Sequence, residues 1–254
     1  MKTRDLRPVY LAFTVVLLAI AAVEFVLFFQ FIDGQKGLGV DLTYYRDISQ
    51  RWLDTGVWYT ERQLAGPYET ISLVDNLYPP IALYFFLPWI WLPFPLWWIL
   101  PIAMVAYAVW RLRPRAWAWP IMAAILVWPK SPVSILYGNS DLLVVAFVAA
   151  GVLWSWPGVL ILFKPSMGIF AFVGIRRRSW WIGLGVLALV SLPLLSLWVQ
   201  WPTVVINSSG TLIYSLSNMP LVALPLVAWL ASSTRPALRM PSLPGIRQDA
   251  PARP

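Results

Sequence analysis

The chain has no cysteine and no histidine among its 254 residues. The first absence excludes disulfides and thiolate chemistry. The second removes the side chain most often used as a general base or metal ligand. Acid–base work therefore falls to Asp, Glu, Lys or Tyr. Charge is scarce too, at 12% of residues against about a quarter in an ordinary soluble domain. With 59% hydrophobic residues and a mean hydropathy of +0.69, this excludes a water-soluble globule, a disordered tail and a collagen-like fibre.

What is present points to a membrane. The length has room for roughly six to eight passages of about 20 residues each. The net charge of +8 does not call for nucleic acid as a partner, because most basic residues stand in short clusters between apolar runs. That is the pattern of membrane orientation signals, and many of the 17 Trp mark the ends of the runs, as interfacial belts require. The expected fold is all-α, a polytopic transmembrane bundle with short or broken helices.

The first apolar run extends from about Val9 to Ile32. A signal peptide has an apolar region of only about 7–15 residues, so this run predicts a retained spanning helix. Lys2, Arg4 and Arg7 flank it and place the N-terminus inside. Residues 33–77 form a polar stretch in which seven acidic residues (Asp33, Asp41, Asp47, Asp54, Glu61, Glu69, Asp75) face four basic ones (Lys36, Arg46, Arg51, Arg62). An acidic loop in a basic protein belongs outside. Within it, Asp41 could cap a helix whose Tyr44, Tyr45, Ile48 and Trp52 share one face, lying in the interface.

Beyond Tyr78 the apolar segments are about 79–92, 95–110, 116–136, 140–155, 158–175, 180–200 and 219–232, several interrupted by Pro. The clusters Arg111/Arg113/Arg115 and Arg176/Arg177/Arg178, and the tail carrying Arg235, Arg239, Arg247 and Arg253, are all expected inside. Counting every segment as a crossing would put Arg111–Arg115 outside, so either 79–92 or 95–110 is expected to be re-entrant or partial. The chain divides into a transmembrane module, 1–234, and a Pro/Arg-rich cytoplasmic tail, 235–254, expected to be disordered. The expected location is the cell membrane, multi-pass, with both termini cytoplasmic.

Ionisable groups inside apolar runs are functional candidates, and there are four: Glu24, Lys130, Asp141 and Lys164. Glu24 reads equally as a snorkelling or helix-pairing residue, and Lys130 as a snorkelling one. Lys164 lies beside Pro165 between two half-length apolar stretches, which calls for an anionic partner, a wet cavity, or an ion pair with Asp141 or Glu24. Tyr137-Gly138-Asn139-Ser140-Asp141 reads as a turn opening a helix. Asn139 or Ser140 would be its cap, and its N-terminus could hold a phosphate.

The order of these features resembles a known group. A first helix is followed by an outside Asp with Tyr-Tyr after it, the loop Gly56-Val57-Trp58-Tyr59, and Leu77-Tyr78-Pro79-Pro80. Then come Tyr137-Gly138-Asn139, Lys164-Pro165 and Arg176-Arg177-Arg178. Over about residues 9–180 this resembles the GT-C superfamily of membrane glycosyltransferases, especially the family 87 polyprenyl-phosphate-mannose-dependent α-mannosyltransferases. The resemblance implies transfer of a hexose such as mannose from a polyprenyl-phosphate-linked sugar to a glycan or glycolipid acceptor on the outer face, with inversion. It implies Asp41 as catalytic base, with Tyr44, Tyr45, Tyr78, Asn139 and Lys164 binding substrate. A leaving phosphate also needs cations or a helix start nearby, for which Arg46, Lys164 and Gly138–Asn139 are the candidates. No cofactor and no metal is expected; the loop has no Asp-x-Asp pair and the chain no Gly-rich phosphate loop. Family members carry more helices after this module, so membrane lipids and a partner membrane subunit are the expected company. The alternative is a non-catalytic transporter or flippase component, or an accessory subunit.

Overall fold

The computed structural model describes residues 5–35, 37–69, 75–209 and 217–233; the expectation for the 235–254 tail lies outside them. The described chain is mostly helical, and its strands are the two-residue β1 (Tyr68–Glu69) and β2 (Ser208–Ser209), paired in parallel. Two helices are long and apolar enough to cross a membrane. They are α1 (Arg7–Asp33) and the 30-residue Arg178–Asn207, which comprises α9 (Arg178–Ser191), a 3₁₀ turn at Pro193 and α10 (Leu195–Asn207). A third span is formed if α6 (Ala118–Val127) and α7 (Lys130–Leu136) count as one, bent by 70°. Pro129 accounts for the bend: Trp128 before it is extended, as the residue before a proline tends to be. Many side chains of α1 and α9–α10 are exposed and apolar, among them Leu11, Val23, Leu27, Ile182, Leu189 and Val199. Water would not tolerate so large an apolar surface; lipid would.

Shorter helices complete the bundle: α5 (Leu96–Leu112), α8 (Asp141–Trp154) and α11 (Met219–Leu230). Segment 79–92 yields only α4 (Ala82–Phe86) and a 3₁₀ turn to Ile90, too short for a crossing. Segment 95–110, by contrast, forms the continuous 17-residue α5.

Segment 158–175 was expected as a crossing and is instead a hairpin. It consists of two 3₁₀ helices, Trp156–Phe163 and Pro165–Phe172, with Lys164 at the tip. Eight-residue 3₁₀ runs are uncommon; here Pro157 and Pro165 each open one. The two limbs approach so closely that a Cβ on Gly158 would sit 2.6 Å from the Val173 carbonyl oxygen, and Gly174 packs on Ser155. The hairpin thus leaves and returns at one end of the bundle.

That end also carries the arginines. The Arg115 amide donates to the Ala231 carbonyl, Pro114 bridges Ser232, and Tyr107 lies against Trp154. Helix α1 begins there too, since Thr14 meets Trp119 and Met122 around one recess while Phe28 reaches Tyr137 at the far end of α7. At the opposite end lies a polar layer. It contains α2 (Val40–Thr55), α3 (Glu61–Ala65), β1 and the Asp75–Pro80 turn. The layer is fastened to the bundle by Asn207 to the Gln63 carbonyl, Trp201 to the Leu77 carbonyl and Tyr68 to the Val204 carbonyl. A buried Gln63, whose side chain reaches back to the Thr60 amide, closes a capping box at α3. The Asp75 carboxylate pairs with Arg62.

Candidate functional site

The site forms where the polar layer meets the bundle. Gly138 opens it: at φ +70 it takes a left-handed turn that a side chain would resist, with Leu42, Trp97 and Trp98 all 3.3 Å from where a Cβ would stand. The turn exposes two carbonyls to the start of α2. The Gly39 amide donates to Leu136 O and the Asp41 amide to Tyr137 O, both at 2.9 Å. Asp41 is thereby set beside Asn139. The sequence pattern suggested Asp41 as the helix cap, and this is a correction. Gly39 is the N-cap residue, and the Asp41 side chain accepts from Asn139 Nδ2 at 2.7 Å.

Asn139 is the hub. Its Oδ1 accepts from Lys164 Nζ at 2.9 Å and from the Asp141 amide at 3.0 Å. Ser140 is the N-cap residue of α8 but makes no side-chain cap bond, and the Asn139 side chain, one residue earlier, receives the first helical amide instead. Lys164 is 7% exposed and its ammonium donates to three acceptors: Asn139 Oδ1, Ser140 Oγ at 3.1 Å and Asp141 Oδ1 at 2.7 Å. Of the partners expected for Lys164, Asp141 is the one found. All three ammonium protons are taken, which leaves none for a ligand phosphate in this conformation. The start of α8 is equally filled. Ser140 N–H donates to the Tyr45 hydroxyl, and the next amides turn back on Asn139 and Ser140. The expected phosphate seat at that helix start is therefore closed.

The aromatic residues form the wall. Tyr45 stacks on Phe86 at 4.3 Å and meets Tyr78 edge-on. The Tyr45 and Tyr78 hydroxyls are 3.1 Å apart, and Tyr78 reaches Ser140 Oγ at 2.7 Å. Tyr44 donates to the Asp75 carbonyl at 2.5 Å. Burial pushes both Tyr44 and Tyr45 well above the usual phenol range, so both stay protonated. Arg46, half-buried on α2, donates to the Ile90 carbonyl at 3.1 Å and has no carboxylate partner among the described residues.

Burial is also the main influence on Asp41 and raises its carboxyl above the ordinary carboxylate value. The Asn139 hydrogen bond and the Lys164 charge oppose the shift, and the Asp141 charge adds to it. Such a group sits closer to neutrality in affinity for protons, which is what a general base needs. Five of the seven expected site residues, Asp41, Asn139, Tyr45, Tyr78 and Lys164, are linked by hydrogen bonds, while Tyr44 and Arg46 stand on the same helix as Asp41 and bond to the Asp75 and Ile90 carbonyls.

Two residues outside the expected substrate-binding set belong to the site. Asp141, expected as one possible ion-pair partner of Lys164, is 0% exposed and anchors it. Asn218 gave no signal, since a lone Asn before an apolar run looks like a plain helix start. Its Nδ2 donates to Asp141 Oδ2 at 2.6 Å. Glu24 lies elsewhere, on the α1 face shared with Ala21 and Phe28, and its Oε2 is buried without a hydrogen-bond partner. Lys130 opens α7 at the bend. An apolar recess of ≈ 290 Å³ is lined by Thr14, Val105, Met122 and Leu221 among others, and its lining includes Ile135 and Leu142, which flank the site turn in sequence.

Comparison with protein-family models, with curated proteins and with solved structures gives no match for this chain.

Proposed function

We propose that the chain is a polytopic membrane glycosyltransferase. It would move a hexose, by resemblance mannose, from a polyprenyl-phosphate donor to a lipid or glycan acceptor on the outer face, with inversion. One observation carries this reading: Asp41, a carboxyl raised towards neutrality, stands at the boundary between the polar layer and the apolar bundle, aimed by Asn139. In the reaction, Asp41 takes the proton of the acceptor hydroxyl as its oxygen attacks the anomeric carbon. The bond from that carbon to the phosphate oxygen breaks, and polyprenyl phosphate leaves with the electron pair. Arg46, five residues after Asp41 on the same helix, is the cation assigned to the leaving phosphate, since Lys164 is occupied by Asp141 and the Arg46 bond to the Ile90 carbonyl leaves guanidinium donors over. The apolar recess whose lining includes Ile135 and Leu142 would give the donor's hydrocarbon chain a bed.

The acidic layer at one end and the arginines at the other support an orientation with residues 33–77 outside and both termini inside. Helices α1, α5, α6–α7, α8, α9–α10 and α11 would then cross, with the Lys164 hairpin entering from the cytoplasm. The short α5, α8 and α11 fit a bilayer thinned around the protein. The test is transfer itself. The chain in liposomes, given a polyprenyl-phosphate hexose labelled in the sugar and a membrane lipid extract, moves label into a new lipid or glycan. A donor left intact would contradict the proposal.

A further inference from the structure

The polar chain behind Asp41 extends past Lys164. Asn218, 3% exposed at the start of α11, donates to Asp141 Oδ2, and Asp141 Oδ1 accepts from Lys164. Lys164 donates to Asn139 Oδ1, and Asn139 Nδ2 donates to Asp41. Five side chains from α11, α8, the hairpin tip, the Tyr137–Ser140 turn and α2 therefore form one continuous line.

The polarity of this line is fixed along its length. An ammonium has only donors, so Asn139 must turn its oxygen to Lys164, and the Asp141 amide enforces the same orientation. The Asn139 NH₂ is then forced towards Asp41, where a donor favours the ionised carboxylate over the neutral acid. Asn218 supplies the second donor that a buried Asp141 needs once Lys164 has taken the first. Without it, Asp141 would compete harder for the ammonium and draw it from Asn139.

We propose that Asn218 and the Lys164–Asp141 pair are positioning residues, which lock the Asn139 amide and so hold Asp41 in readiness to ionise from as far away as α11. The catalytic meaning of this rests on the reading of Asp41 as the base; the coupling itself does not. The titratable and charged groups that act on Asp41 or feel its charge are Lys164 from the hairpin, Asp141 from α8, and Tyr44 and Tyr45 from its own helix. Arg46 follows one residue on. Only Lys164 and Asp141 lie on the line from Asn218.

The test is an infrared titration of carboxyl protonation on the full chain in lipid nanodiscs, with the Asp41 band assigned by its loss in Asp41→Asn. The Asp41 midpoint moves up in Asn218→Ala and further up in Lys164→Met. It returns towards wild type in Asn218→Ser, whose hydroxyl can still donate to Asp141. Should Lys164→Met fail to fold, the two Asn218 variants decide. An unchanged midpoint in Asn218→Ala overturns the proposal, even if its melting temperature falls, because a merely structural asparagine would show that pattern. The outcome does not depend on sugar transfer. A moving midpoint in a chain that transfers nothing would end the transferase reading alone, and a fixed midpoint in an active chain would end the coupling alone.

Discussion

Lys164 Nζ lies 2.7 Å from Asp141 Oδ1, with the lysine 7% and the aspartate 0% exposed. Neither charge is affordable without the other at that depth. Removing the cation alone in Lys164→Met strands a buried carboxylate and costs about 3–5 kcal/mol of stability. The double variant Lys164→Met/Asp141→Leu removes the pair and strands only the Asn218 donor, at about 1–3 kcal/mol. Thermal melts in detergent should therefore rank the double variant above the single one. A double variant as unstable as the sum of its parts would mean that the two residues do not act as a pair.

Asp41 makes the opposite prediction about stability. Its folded carboxyl binds a proton more tightly than an unfolded one, so ionising it costs folding energy. That cost is absent below the ordinary carboxylate value and grows as pH rises through the raised one. Asp41→Asn, which keeps an oxygen for the Asn139 donor, should melt higher than wild type at neutral pH and lose this advantage in acid. Melts at two pH values measure it; an advantage that grows on acidification would contradict the sign. Transfer activity should fall along an acidic limb centred above the ordinary Asp range.

The two ends of the bundle predict labelling from opposite sides. The chain has no cysteine, so a single cysteine at exposed Ala65 in the acidic layer or at exposed Arg177 has no background. In oriented vesicles an impermeant thiol reagent should reach one only from outside and the other only from inside. Labelling of both from the same side would refute the proposed orientation.

The hairpin can be probed at its waist. Gly158→Ala puts a methyl 2.6 Å from the Val173 oxygen and 3.3 Å from the Ala171 oxygen, both backbone. The limbs must part, at about 1–3 kcal/mol, and Lys164 moves with them. Gly168→Ala on the second limb meets nothing within 4 Å and should be neutral. Equal melting temperatures for the two variants would show that the close approach is unimportant.

How far the sequence reveals this site depends on the range of each signal. The Gly138-Asn139-Ser140 turn and the lone Lys164 are legible because local chemistry demands an explanation: a turn must be capped, and a buried ammonium must be paired. The Lys164 hairpin is not legible, since an apolar run of that length satisfies a crossing and a folded-back 3₁₀ pair equally well. Long-range contacts, such as Gly158 with Val173 and Gly174 with Ser155, separate the two. Asp41 competes in sequence with Asp33 and Asp47 as a cap; what distinguishes it is the Tyr137 carbonyl 96 residues on, which receives its amide. Asn218 is silent for the same reason, because its partner Asp141 is 77 residues away.

The central claim is that Asp41 is the base of a sugar transfer from a polyprenyl-phosphate donor. Its most direct test compares wild type with Asp41→Asn in the liposome transfer reaction at neutral pH, with folding checked by the melt. Turnover should fall by roughly 10²–10⁴-fold in the variant, with donor binding retained. Equal turnover in the two chains, or no transfer by wild type from any polyprenyl-phosphate hexose, would contradict it.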